Sequence, residues 1–230
     1  MVPERFYPAL HRVIPPPTSW DRRLHQYDRR LLVNSKLSDA EDQYERLSFM
    51  SIGYPAWNLM YYSLLCTLPV GRPAIVIETG TNIGNSTIVL AQAIRDSGRE
   101  GRVYTIEFDP QNAAIARKNI DEAGLSDLVE SYIGDSTSLI RSITRSMKYI
   151  DFAFLDAGHD FTSVMKEFRA VCRKVRRARG MIYFDNTLAG DVALALRWIR
   201  LRYWGNIIEF ANCSSSPPGN AIWQPRWPRT

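Results

Sequence analysis

Cysteine and histidine are scarce in this 230-residue chain, with three of each, widely separated. Cys66, Cys172 and Cys213 are odd in number and fall into no disulfide framework or zinc-ligand spacing. His11, His25 and His159 form no cluster with them, so a zinc centre is not expected. A Gly-x-Ser-x-Gly elbow is missing, which argues against acyl transfer through a serine nucleophile. Residues 1–30 are rich in Arg and Pro and lack the apolar segment of a secretory leader. A reducing compartment, the cytoplasm, is the expected setting.

Charge is missing from one long run, Leu47 to Gly71. Its length would cross a bilayer, but Pro55 and Pro69 bracket the part with helical character, Ala56 to Thr67. Twelve residues are too few to span, so the run reads as a buried helix packing beside the first strand. What is present is ordinary for a globular protein: 45% apolar and 23% charged residues suffice for one domain with a sizeable core. The net charge of +5 is uneven, with twelve Lys or Arg against four Asp or Glu from Met165 to Thr230. The Arg173 to Arg179 cluster carries much of it. No aromatic interleaves with that cluster as in a nucleic-acid stacking platform, so a solvated helix C-terminus is the simpler reading.

The chain is organised around Ala74 to Thr87. A short β-branched run, Ala74 to Ile77, suits a strand buried on both faces of a parallel sheet. It ends in Glu78, followed by Gly80 and Gly84 and then an apolar-periodic helix. Glycine at a strand's carboxyl end permits a sharp turn and close approach of a ligand to the backbone. The spacing is Glu-x-Gly-x-x-x-Gly, and Glu78 stands where the dinucleotide fingerprint needs its first glycine. A carboxylate there repels pyrophosphate but accepts hydrogen bonds from an ammonium group.

From Ala74 onward strands and helices alternate. Strands are predicted at 74–79, 102–107, 128–134, 150–156 and 180–185, and helices near 85–97, 110–123, 136–147, 161–176 and 189–203. This pattern implies an α/β, Rossmann-like, doubly wound sheet. Asn206 to Asn212 and Asn220 to Gln224 read as a terminal antiparallel hairpin joined by a Ser/Pro/Gly connection from Cys213 to Gly219. Residues 51–230 form this domain. Residues 1–50 read as an N-terminal helical extension, with amphipathic helices over 24–33 and 40–50 and Asp39 before the second. The extension serves as a lid, a substrate wall or a dimer contact.

Open α/β sheets bind ligands beyond the carboxyl ends of their strands. There the chain places Glu107 and Phe108 after the second strand, Asp135 and Ser136 after the third, Asp156 and His159 after the fourth, and Asp185 and Asn186 after the fifth. Asp109 and Asp135 also stand where helix N-caps belong. Two carboxylates and an amide oxygen on neighbouring strand ends make a hard oxygen site suited to Mg²⁺ or a similar divalent ion. Asp151, at the opposite end of its strand, reads as structural.

The acidic-x-Gly-x-x-x-Gly loop, with carboxylates at successive strand ends, resembles the class I S-adenosylmethionine-dependent methyltransferases over about residues 50–225. The resemblance implies S-adenosyl-L-methionine as cofactor, held by the loop residues Glu78, Gly80, Thr81 and Gly84, with Ser86 on the methionine carboxylate. It implies Glu107 on the ribose hydroxyls with Phe108 beside it, and Asp135 and Ser136 at the adenine. Asp156, Asp185 and Asn186 fall on the metal positions of the catechol and caffeoyl-CoA type O-methyltransferases. Those relatives place a lysine base three residues past the first Asp, where this chain has His159. The phrase from Asp156 to Val164 also resembles a sugar and macrolide O-methyltransferase branch, in which histidine is common. His159 is therefore the expected general base, and a hydroxylated small molecule the expected substrate. The alternatives are an RNA methyltransferase using the basic C-terminal third and a non-catalytic S-adenosylmethionine-binding protein. No membrane partner is expected, and a homodimer is left open.

Overall fold

The computed structural model describes residues 56–177, 179–210 and 219–226. The expected helices over 24–33 and 40–50, the Asp39 cap, the extension over 1–50 and most of the 213–219 connection lie outside the described residues. In chain order the elements are α1 (Ala56–Thr67), β1 (Ala74–Thr79), α2 (Asn85–Asp96), β2 (Gly101–Glu107) and α3 (Pro110–Glu122). A 3₁₀ turn (Ser126–Leu128) leads into β3 (Val129–Ile133), α4 (Ser136–Thr144), β4 (Phe152–Leu155) and α5 (Phe161–Val171). β5 (Met181–Phe184), α6 (Gly190–Arg202), β6 (Gly205–Phe210) and β7 (Asn220–Pro225) complete the set.

The seven strands form one sheet in the order β3-β2-β1-β4-β5-β7-β6. The first five are parallel, and β7 runs antiparallel to both β5 and β6. The doubly wound sheet with its terminal hairpin is therefore as the alternation predicts. Successive side chains on a strand point to opposite faces, and the core divides accordingly. Phe152 and Phe154 of β4, with Tyr183 of β5, join one core with α1 and α2. Ala153, Leu155, Ile182 and Phe184 join the other, beneath α4, α5 and α6.

The uncharged helix α1 forms where expected and is buried. It packs chiefly on α2 and on β5 rather than beside β1. The Tyr183 hydroxyl donates to the Ala56 carbonyl at 3.1 Å, and the Tyr61 hydroxyl donates to Asp96 at 3.0 Å. Among the described residues no helix is long and apolar enough to cross a membrane.

Two helices stop earlier than their periodicity suggests. α4 ends at Thr144 rather than near 147, and α5 at Val171 rather than near 176. After α5 the backbone closes a turn, Lys174 N–H donating to Val171 O at 2.8 Å, and the Lys174 side chain caps the end of α4. Lys174 folds back so that its ammonium donates to the carbonyls of Arg145 and Met147, at 3.0 and 3.1 Å, and to that of Thr144. The Thr144 and Arg145 carbonyls are among those left open at the C-terminal end of α4, and that of Met147 follows in the loop. The next residue, Val175, pairs with Ile150 and leads the chain into β5.

At that same end of the sheet Asp151 is fully buried, bonded by Arg72 at 2.6 and 2.9 Å and by the Ile75 backbone N–H at 3.0 Å. Arg176 lies 3.5 Å away. Asp151 is structural, as expected. The Arg173 to Arg179 cluster is partly committed to helix capping and to this ion pair.

Candidate active site

The loop after β1 is shaped by one close approach. Gly80 has φ +83°, and a Cβ there would lie 2.5 Å from the Asp156 carbonyl oxygen. Only glycine fits both conditions. The loop is held by the Gly80 N–H donating to Ile106 O at 2.9 Å. Beneath it Glu78 is fully buried, and its Oε2 accepts from Thr87 at 2.5 Å and Thr105 at 2.6 Å. Burial pushes its carboxyl above the usual range, opposed by the hydroxyls of Ser86, Thr105 and Thr87. Glu78 Oε1 makes no hydrogen bond, which marks a buried acceptor still open to a donor.

Glu107 ends β2 and takes backbone N–H groups on both oxygens, Asn82 at 2.6 Å and Asp109 at 3.0 Å. Each oxygen keeps a second lone pair for a ligand hydroxyl. Asp109 caps α3 through Gln111 N at 2.7 Å, as expected. Asp135 caps α4, accepting from Thr137 N at 3.1 Å and from the hydroxyls of Thr137 and Ser138 at 2.8 and 2.6 Å. Those hydroxyls, Ser138 first, hold its carboxyl below the usual range.

β4 and β5 are neighbours, so their carboxyl ends meet. His159 Nε2 lies 2.5 Å from Asn186 Oδ1 and 3.7 Å from Asp156 Oδ1. Gly158 lets the loop lie flat on α5, because a Cβ there would fall 2.3 Å from that of Ser163. Asn186 takes φ +54°, the left-handed region that asparagine tolerates. Asp185 is buried, and its Oδ1 accepts from the Asn220 amide of β7. Burial, then the charge of Asp185, raises Asp156 to about 7. His159 is raised to about 9, chiefly by Asp156. Its imidazolium is the counter-ion of this acidic pair at neutral pH.

These strand ends surround one cavity of about 760 Å³. Of the residues expected at the site, Gly80, Glu107, Phe108, Asp135, Ser136, Asp156, His159 and Asn186 line it. Glu78, Thr81, Gly84, Ser86 and Asp185 do not. Glu78, Thr81 and Ser86 are buried beneath or behind the loop, with Thr81 bonded to Thr105 at 2.5 Å. Gly84 is the N-cap of α2.

The described lining holds no Lys or Arg. An acidic cavity with acceptors at the β2 end suits a positively charged nucleoside better than a phosphate-bearing one. Two like-charged carboxylates beside an amide oxygen suit a hard divalent cation, whose charge relieves their repulsion. Among the described residues no group of three His, Cys, Asp or Glu side chains is placed to hold a metal, so the donor set needs Asn186.

The sequence reading missed two residues. Glu167, on α5, is 1% exposed and accepts from Ser136 Oγ at 2.5 Å and Thr79 Oγ1 at 3.0 Å. Its signal was a carboxylate on the helix face of Val164, Phe168 and Val171. Asn220 is the other, and nothing in a hairpin strand marks it as a partner of Asp185. Among the aromatic residues from α6 to the C-terminus, Tyr203 and Trp223 pack on Phe168 at 4.8 and 5.2 Å, whereas Trp198 and Trp204 are exposed. Trp227 lies outside the described residues.

Residues 77–187 match the model of a family described as a methyltransferase domain. A catechol O-methyltransferase of Mycobacterium tuberculosis is 35% identical over 120 residues, covering 52% of this chain and 51% of the relative. The chain covers between 22% and 51% of the length of the curated relatives it matches. Two solved structures share the fold. One is the O-methyltransferase TomG of Streptomyces achromogenes, involved in tomaymycin synthesis and solved with S-adenosylmethionine (TM-score 0.65, 18% identity, 88% of this chain and 98% of that one). The other is an O-methyltransferase of Bacillus cereus in complex with S-adenosylhomocysteine (TM-score 0.59, 21% identity, 92% and 93%).

Proposed function

We propose that this chain is an S-adenosylmethionine-dependent methyltransferase of the catechol and caffeoyl-CoA type, to which it is similar, and that it methylates a hydroxyl of a small molecule. The methyl donor is S-adenosylmethionine. The residues that would hold a divalent ion such as Mg²⁺ are Asp156, Asp185 and Asn186. One observation carries the reading: Asp156, His159 and Asn186 converge on the wall of a cavity that Glu107 and the Gly80 loop also line.

When bound, S-adenosylmethionine supplies an electrophilic sulfonium methyl, and the divalent ion supplies charge that favours the substrate's oxyanion. Glu107 accepts from the ribose hydroxyls, and Phe108 presents an exposed ring at the rim. The turn at Asp135 and Ser136 borders the base. Glu78 Oε1, beneath the loop from Gly80 to Gly84, accepts from the amino-acid end, with Ser86 beside it. A hydroxyl is a poor nucleophile until it loses its proton, even a phenol having a pKa of about 10. His159 takes that proton at Nε2 once Asp156 and Asp185 no longer need it as their counter-ion. Alignment of the two reacting atoms then does most of the rest.

The test is methyl transfer from labelled S-adenosylmethionine to a panel of catechols and glycosides, with and without chelator. Calorimetry with S-adenosylhomocysteine runs in parallel. Transfer to a small hydroxylated acceptor that stops in chelator is the expected result. Full activity in chelator removes the divalent ion, and absence of cofactor binding removes the reading.

A further inference from the structure

We propose that Glu167 is a positioning residue that joins the two halves of this site. Through Thr79 it sets the strand end carrying Asp156, and through Ser136 it sets the turn bordering the nucleoside. The inference rests on the methyl-transfer reading above.

A carboxylate in an apolar helix face is costly unless its acceptors are used. Both oxygens of Glu167 are used, and both reach residues of the site. Ser136 is the first residue of α4 and donates to Oε1 at 2.5 Å. Its hydroxyl is thereby turned beneath the sheet end, which holds the turn from Gly134 to Ser136 at the cavity. Thr79 is the last residue of β1 and donates to Oε2 at 3.0 Å. With its hydroxyl proton committed downward, Thr79 Oγ1 offers a lone pair upward, and the Asp156 N–H lies 3.3 Å from it. The same N–H lies 3.1 Å from the Thr79 carbonyl, so Asp156 leaves β4 clamped to Thr79 by side chain and main chain together. An apolar side chain at 167 would fill the same space without orienting either hydroxyl. Partners of this kind, one step behind the residues that touch ligand, commonly set affinity and rate.

The two arms predict separable effects. Thr79→Val removes the arm to Asp156 and lowers kcat by about tenfold, leaving S-adenosylhomocysteine affinity by calorimetry unchanged. Ser136→Ala removes the other arm and weakens that affinity by about tenfold, with a smaller change in kcat. Glu167→Ala does both, and adding Thr79→Val to it lowers kcat no further. Glu167→Gln, which keeps the volume and one acceptor, restores part of the affinity. Melting temperatures are measured for each variant, because a role confined to stability would move them and leave both constants alone. That result overturns the proposal, as does a folded Glu167→Ala variant with wild-type affinity and kcat. Should Glu167→Ala fail to fold, the two hydroxyl variants decide, and matching effects on both constants overturn the proposal. A wild-type chain that binds no cofactor overturns the methyl-transfer reading itself, whereas binding with indifferent variants overturns the positioning role alone.

Discussion

His159 Nε2 lies 2.5 Å from Asn186 Oδ1, so the imidazole and the neighbouring amide share one hydrogen bond across the ends of β4 and β5. The nitrogen that must accept a substrate proton is the one now held by the amide oxygen. His159→Ala is expected to lower methyl transfer by about 10²- to 10⁴-fold, the usual worth of a positioned base. Cofactor affinity by calorimetry is expected to stay at the wild-type value, because His159 bonds Asn186 and faces Asp156 rather than Glu107 or the Gly80 loop. An unchanged rate assigns the proton to another group.

Glu167 gives a stability profile with a definite sign. Burial, with the Asp135 charge, pushes its carboxyl up to about 7 from an ordinary 4.5, against the Ser136 and Thr79 hydroxyls and His159. Below about pH 4.5 folded and unfolded chains both hold this proton. Between about 4.5 and 7 the unfolded chain releases it and the folded chain keeps it, so stability falls as pH rises, by about 3 kcal/mol in all. Above that window nothing further is lost. Urea unfolding at pH 5 and 8 should show this slope in the wild type and a shallower one in Glu167→Gln. Equal slopes place the proton elsewhere.

Asp151 tests the distinction between structural and functional carboxylates. It lies at the opposite end of the sheet from the cavity, fully buried, with Arg72 bonded to both oxygens. Asp151→Ala leaves that guanidinium without its partner and is expected to cost about 3 kcal/mol. Denaturant titration reads the loss. The surviving folded fraction should bind S-adenosylhomocysteine normally, and weakened binding would tie Asp151 to the site.

Gly80→Ala combines a left-handed backbone with a Cβ placed 2.5 Å from the Asp156 carbonyl oxygen. The backbone conformation alone costs about 1–2 kcal/mol for a side chain-bearing residue. The contact with backbone atoms adds to that, because a carbonyl moves only with its strand. A lower melting temperature together with loss of cofactor binding is expected, and a neutral variant would show that the loop relaxes freely.

Much of this was readable from residues alone, and for identifiable reasons. Apolar runs ending in Glu78, Glu107, Asp156 and Asp185 mark buried strands, and an open α/β sheet binds ligands beyond those carboxyl ends. The limits are as specific. Lys174 caps the end of α4 by reaching carbonyls about thirty residues earlier in the chain, from Thr144 to Met147. A tertiary cap of that kind has no local signature. Glu78 illustrates the converse: its spacing identified the loop, yet its carboxylate lies beneath the backbone, bonded to Thr87 and Thr105. Which way a strand-end side chain turns depends on the hydroxyls packed below it.

The hairpin has a consequence for assembly. β7 inserts between β5 and β6, and its first residue, Asn220, steadies Asp185. On a ribosome the nucleoside half of the cavity, built by β1 to β4, emerges well before this strand does. A partly synthesised chain therefore has the cavity walls at Gly80 and Glu107 before Asn220 is there to bond Asp185.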